Sequence, residues 1–229
     1  VYKMTSHERY PNATEKRYLE AAIQIANTLA KQLKPGDENN SPLPFKVNAF
    51  TGKIGILKSN SGDSTDAGLS NYTTNWSGTV QLFLELIKLD QGDVAGYKHG
   101  VTTIISWMKE YPMKNNKWGP FFEDIPGWSD TQINAMTWSR FIMNHPAYFP
   151  EWKADVQRII DWVYKTLGND SWKKYGVTVV NEQTAYQTPG NSHTSRQAAD
   201  ELLLGFLSGD HSRDEHAVRQ LNWATYMVD

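Results

Sequence analysis

The spacing between helical segments constrains this chain more than any single motif. About seven stretches carry apolar residues three and four positions apart, the spacing of one helix face. The first covers about 14–33, on Leu19, Ala22, Ile23, Ala26, Leu29, Ala30 and Leu33. Asn12 with Glu15 reads as its capping box and Lys34-Pro35-Gly36 as its stop. The next five cover about 76–89, 94–108, 131–143, 151–167 and 195–207. The last runs toward the C-terminus on Val218, Leu221, Thr225 and Val228. Helices two and three, four and five, and six and seven are joined by short links, and the others by long loops. A short link forces its helices to run antiparallel. If direction alternates throughout, the long loops gather on one face of an αα-hairpin array. The expected fold is therefore all-α, with residues 1–229 forming a single helical domain.

The long loops share a style. One holds Ser41-Pro42-Leu43-Pro44-Phe45-Lys46-Val47-Asn48-Ala49-Phe50-Thr51-Gly52-Lys53. A second holds Trp118-Gly119-Pro120-Phe121-Phe122-Glu123-Asp124-Ile125-Pro126-Gly127-Trp128. The third runs from Asn181 to Arg196, and Gly176-Val177-Thr178-Val179-Val180 before it has the residues of a short strand. Turn formers alternate with aromatic and polar side chains in each. The chain has 9 Trp, 11 Tyr and 8 Phe, many of them in these loops, where aromatic faces suit the apolar C–H faces of sugar rings.

At these loops the chain resembles the six-hairpin (α/α) toroids of glycoside hydrolases and polysaccharide lyases. Pro44-Phe45-Lys46-Val47-Asn48 through Thr51-Gly52-Lys53, followed by Tyr72-Thr73-Thr74-Asn75 opening a helix, carries the resemblance. The loop from Trp118 to Asp124 and the helix entrance from Gly190 to Arg196 carry it too. A full toroid has six hairpins. About seven helices make roughly half a ring, so the resemblance implies a fragment, or an arc completed by a partner chain or a missing segment. It also implies a bacterial protein of carbohydrate metabolism.

Three chemistries are open to these residues. Glycoside hydrolysis leads, because it needs two carboxylates across a groove, and Glu123, Asp124 and Glu182 are placed to supply them. Polysaccharide lyase chemistry comes second. It needs a base, an acid and a cation that neutralises a uronate, roles that suit Tyr186, His193 and Arg196. A non-catalytic glycan-binding or scaffold protein is the rival. Asn75, Gln132, Asn134, Gln183 and Asn191 beside Trp118 and Trp128 would line a sugar groove in any of the three. Asp130, just before the fourth helix, reads more readily as its cap than as a catalytic group.

Composition narrows the partners. The formal net charge of -2 gives no basic excess for nucleic acid. No apolar run reaches the length of a membrane span. His211 and His216 lie five apart, not the four that puts two metal ligands on one face, so no metal is expected, and no cofactor motif appears. With no cysteine, the chain fits periplasm, extracellular space and cytosol alike. A first residue of Val1 favours the periplasm or the outside, with a leader removed.

Overall fold

The computed structural model describes residues 16–55, 76–120 and 129–226. The expected cap at Asn12 and Glu15 lies outside them, as do Asn75, Glu123, Asp124, Trp128 and Val228. The described residues fall into two compact units, 16–55 with 76–107 and 108–120 with 129–226. Helices dominate both, and the only strands among the described residues are two-residue pairs, so the fold is all-α.

The first unit is built on α1 (Lys16–Lys31), α2 (Trp76–Lys88) and α3 (Val94–Glu110). Phe83 stacks on Tyr97 with ring centroids 5.3 Å apart, and Trp76 meets Trp107 at 5.5 Å. The start of α2 therefore faces the end of α3, as the short link between them requires. The Tyr97 hydroxyl donates to Asn27 Oδ1 at 2.5 Å, tying α1 to the start of α3. The first long loop forms a small hairpin that the sequence reading did not resolve. Strand β1 (Lys46–Val47) pairs antiparallel with β2 (Ile54–Gly55). Between them Asn48 Oδ1 accepts from the amides of Phe50 and Thr51, a side-chain turn that leaves the Phe50 ring 88% exposed.

The second unit holds the short α4 (Pro112–Asn115) and four longer helices: α5 (Gln132–Asn144), α6 (Trp152–Leu167), α7 (Asn191–Ser208) and α8 (Asp214–Tyr226). Val156, Ile159, Ile160, Val163 and Leu167 bury the expected stripe of α6. Helix α5 packs on both α6 and α7, and α7 on α8. Contacts along their length fix the directions. Gln132 and Arg140 of α5 meet Arg196 and Asp200 of α7, so these two helices run parallel. Asp161 and Tyr164 of α6 meet Arg213, just before α8, and Gln220 within it, so these run parallel as well. Alternating direction puts both long connections of this unit at the starts of α5 and α7. They meet there through a bridge between Thr131 and Gln183. After α6 the chain passes into β3 (Gly168–Asn169), which pairs antiparallel with β4 (Val179–Val180).

Two expectations are corrected. The inward face of α8 is Ala217, Gln220 and Ala224, while Val218 is 47% exposed and Thr225 is exposed. Small side chains let α8 lie close on α7, and Gln220 is satisfied by donating to Thr178 O and accepting from Tyr164. Asp130 does not cap α5. Its Oδ1 accepts from the amides of Trp118 and Gly119, at 2.5 and 2.9 Å. The Asn134 amide donates to the carbonyls of Trp118, Gly119 and Pro120 at 3.0–3.3 Å. Together they clamp the chain at 118–120 onto the start of α5. Asp130→Ala strips two amides of a charged acceptor and should cost about 1–2 kcal/mol in urea unfolding. An unchanged unfolding midpoint would show that the clamp carries no stability.

Candidate functional site

The end of the second unit where α5 and α7 begin gathers several of the expected residues. Helix α7 starts at Asn191, a turn earlier than its apolar pattern suggests. Gly190 is extended, and Thr194 N donates to Gly190 O at 3.0 Å to close the first turn. The buried Thr194 hydroxyl accepts from Val180 N at 3.0 Å, anchoring that turn to β4. His193 thus belongs to a helix, not to a mobile loop. A side chain at position 190 would overlap the His193 ring, so only glycine lets the imidazole lie against the backbone there.

Arg196 stands nearly one turn on. Its Nη1 donates to Gln132 Oε1 at 2.9 Å. Gln132 Nε2 in turn donates to His193 O at 3.1 Å, with Gln197 Oε1 at 3.5 Å. The Gln132 side chain is fully buried and committed on both ends, so it braces Arg196 and the His193 turn instead of facing a ligand. His193 and Arg196 are each half-buried. Burial first, and the Arg196 cation second, push His193 down to about 4, so its ring is neutral at ordinary pH. Its Nδ1 lies 3.4 Å from the Ser192 hydroxyl.

One turn beyond Arg196 is a pair that the sequence reading missed. Asp200 is fully buried and accepts from Nε of Arg140 at 2.8 Å and from its Nη2. Burial holds its carboxyl up at about 6 despite the cations of Arg140 and Arg196. The available signal was spacing, since Asp200 lies four residues after Arg196 and shares its helix face.

The other expected residues divide. Glu182 is half-buried; its carbonyl accepts from Gln132 N at 3.1 Å and its amide donates to Thr188 O at 3.2 Å, so its backbone is fixed at this end. Tyr186 is 53% exposed on the same loop. Asn191 is half-buried in the first turn of α7. Gln183 is buried, and its Oε1 accepts from Ser129 at 2.9 Å. It fastens the loop instead of offering a sugar contact. Asn134 belongs to the clamp, with its amide hydrogens spent on main-chain carbonyls. Trp118, expected as a stacking platform, is fully buried near Trp162, with centroids 6.1 Å apart. A large aromatic next to a backbone clamp stabilises the loop base, where burial contributes more than exposure would. No cluster of metal-ligating side chains occurs among the described residues, and none of their helices is long and apolar enough to cross a membrane.

No family model matches the sequence, and no curated protein matches it. Among solved structures, the fold is similar to the crystal structure of a D-mannose isomerase, with a TM-score of 0.50 and 10% sequence identity. The likeness covers 90% of this chain and 51% of that one, so the chain spans about half the length of the structure that it matches. At this identity the likeness establishes shared helical architecture.

Proposed function

Taking the helical fold shared with a D-mannose isomerase as the premise, we propose that the chain is a carbohydrate-active enzyme that moves a proton at a sugar carbon. His193 serves as base, and Arg196 seats an acidic group of the sugar. The observation that carries this is the neutral His193 beside a guanidinium held in place through Gln132. In elimination from a uronate, the base takes the proton next to the carboxylate. The electron pair forms a carbon–carbon double bond, the glycosidic C–O bond breaks, and the departing oxygen takes up a proton. Arg196 offsets the charge that builds on the carboxylate. Burial is the main reason that His193 lies at about 4, with the Arg196 cation second, and a substrate anion at Arg196 cancels that second contribution. Substrate binding therefore raises the basicity of His193 where it is needed.

Hydrolysis is the second reading, favoured by the fixed, half-buried position of Glu182 at the same end. It would pair Glu182 with Glu123 or Asp124. The exposed Val218 and Tyr226 on α8 support the expectation that a partner chain or a further segment covers this edge.

The test is a screen of acidic and neutral saccharides that follows three signals: ultraviolet absorbance of unsaturated uronates, new reducing ends, and aldose–ketose interconversion. Absorbance with reducing ends, or interconversion alone, is the expected outcome. Reducing ends without absorbance would overturn it in favour of hydrolysis, and silence in all three in favour of a glycan-binding protein. The pH profile supplies a second check. Because the neutral imidazole is the working form, kcat/KM should fall as pH drops through about 4. The acid limb of kcat, which reports the bound state, should lie at higher pH. Coincident limbs would rule out an anion seated on Arg196.

A further inference from the structure

Helix α7 carries Arg196 and, four residues on, Asp200, and α5 brings Arg140 against them. The Asp200 side chain has no exposure. Both of its bonds from Arg140, from Nε at 2.8 Å and from Nη2, fall on Oδ1. Its Oδ2 is buried and has no hydrogen-bond partner among the described residues. A proton can therefore settle on Oδ2 without breaking the pair with Arg140. Burial already favours the protonated form and holds the carboxyl at about 6, against the pull of Arg140 and Arg196. The charges that α6 and α8 bring to α7, Asp161 with Arg213 and His216, gather at Glu201 on a different helix face.

Arg196 is half-buried, with Nη1 committed to Gln132. Burial lowers its guanidinium from the ordinary value, and through space Asp200 supports its charge while Arg140 opposes it. A second anion seated on Arg196 would stand about one helix turn from Asp200. Two like charges at that distance in a half-buried setting weaken binding on the order of tenfold. Protonating Asp200 removes the repulsion and leaves two guanidiniums to one incoming charge.

We infer that Asp200 makes the seat at Arg196 proton-coupled: an acidic sugar binds there together with a proton, taken from solvent onto Asp200 Oδ2. The inference rests on the reading of Arg196 as the seat of a carboxylate, and it adds a regulation of that site. Asp200 acts through Arg196, as a positioning residue. Linkage gives the sign. A bound anion raises the Asp200 carboxyl further, so binding just above about pH 6 takes up a proton, and affinity rises as pH falls toward that value. In the free protein His193 stays neutral down to about 4, so between about 4 and 6 the base is available and the seat is at its tightest.

Titration calorimetry on the full chain with the methyl glycosides of glucuronate and galacturonate tests it. Both are blocked at the anomeric carbon and carry no leaving sugar, so binding is read without turnover. At least one should bind about tenfold tighter near pH 5 than near pH 8. Near pH 6.5 (roughly midway through the transition), buffers of different ionisation heat should reveal proton uptake. Methyl glucoside, which has no carboxylate, should show neither effect. Asp200→Asn should bind near pH 8 as tightly as the parent does near pH 5, with no uptake, a gain that a purely structural Asp200 would not give. His193→Ala should keep both effects. Binding that ignores pH would overturn the coupling and leave the seat standing. So would pH dependence that survives Asp200→Asn or disappears in His193→Ala. No binding of either uronide at any pH would overturn the seat at Arg196 and the coupling with it. If Asp200→Asn does not fold, the parent and His193→Ala still decide the matter.

Discussion

His193→Ala should lower turnover about 10²- to 10⁴-fold, the contribution of a positioned general base. Added imidazole should restore part of the loss, because the deleted group is small and diffusible. Gly190→Ala should lose activity almost as far, although Gly190 carries no reactive group. A methyl group there occupies the space of the His193 ring and turns the imidazole out of line. Imidazole should not rescue this second variant, whose displaced ring still fills the site. A full rate in His193→Ala would end its assignment as base. A full rate in Gly190→Ala would show that the ring's placement against the backbone is not needed.

Arg140→Met should be the most damaging change to stability. It leaves the Asp200 carboxylate buried with Arg196 as the remaining nearby cation among the described residues. Breaking a buried pair from one side is costly. Arg140 is 48% exposed, and water screens part of the effect, so the expected loss near neutral pH is about 2–3 kcal/mol. The pH dependence gives the signature. Asp200 titrates at about 6 folded against an ordinary 3.8, so the folded state holds its proton more tightly than the unfolded state does. Its effect on stability is most favourable below about 4 and is lost as pH rises through about 6. Without Arg140 the folded value climbs further, so the gap between variant and parent should widen toward neutral pH and close in acid. Thermal unfolding across that range measures it. A gap that does not change with pH would mean that Arg140 acts through packing and not through charge.

The helices were legible because burial repeats. Tyr97, Val101, Ile104, Ile105 and Met108 of α3 are all buried where the pattern put them. On α8 the same logic failed, because Ala217 and Ala224 say little about burial while Val218 says too much. The site was legible in part. His193 and Arg196 lie on one helix turn, so spacing alone joined them. Gln132 was expected to orient a sugar, and in the fold it sits in the first turn of α5 bonded to Arg196 and to His193 O. Its amide serves the protein's own backbone and Arg196, and an amide that holds a sugar has the same sequence as one that holds a carbonyl. Asn134 and Gln183 repeat that ambiguity. Asp200 and Arg140 were missed because their pairing is 60 residues apart in sequence and depends on α5 and α7 running parallel.

The Asp130–Asn134 clamp has a consequence for how such a protein could diversify. Asp130 and Asn134 fasten the main chain on the near side of positions 121–128, and Ser129 with Gln183 fastens it on the far side. The described contacts thus grip the chain at both edges of this stretch. Sequence change between the two grips leaves the contacts of Asp130, Asn134, Ser129 and Gln183 themselves unaltered, so the entry to α5 is specified locally by those four residues.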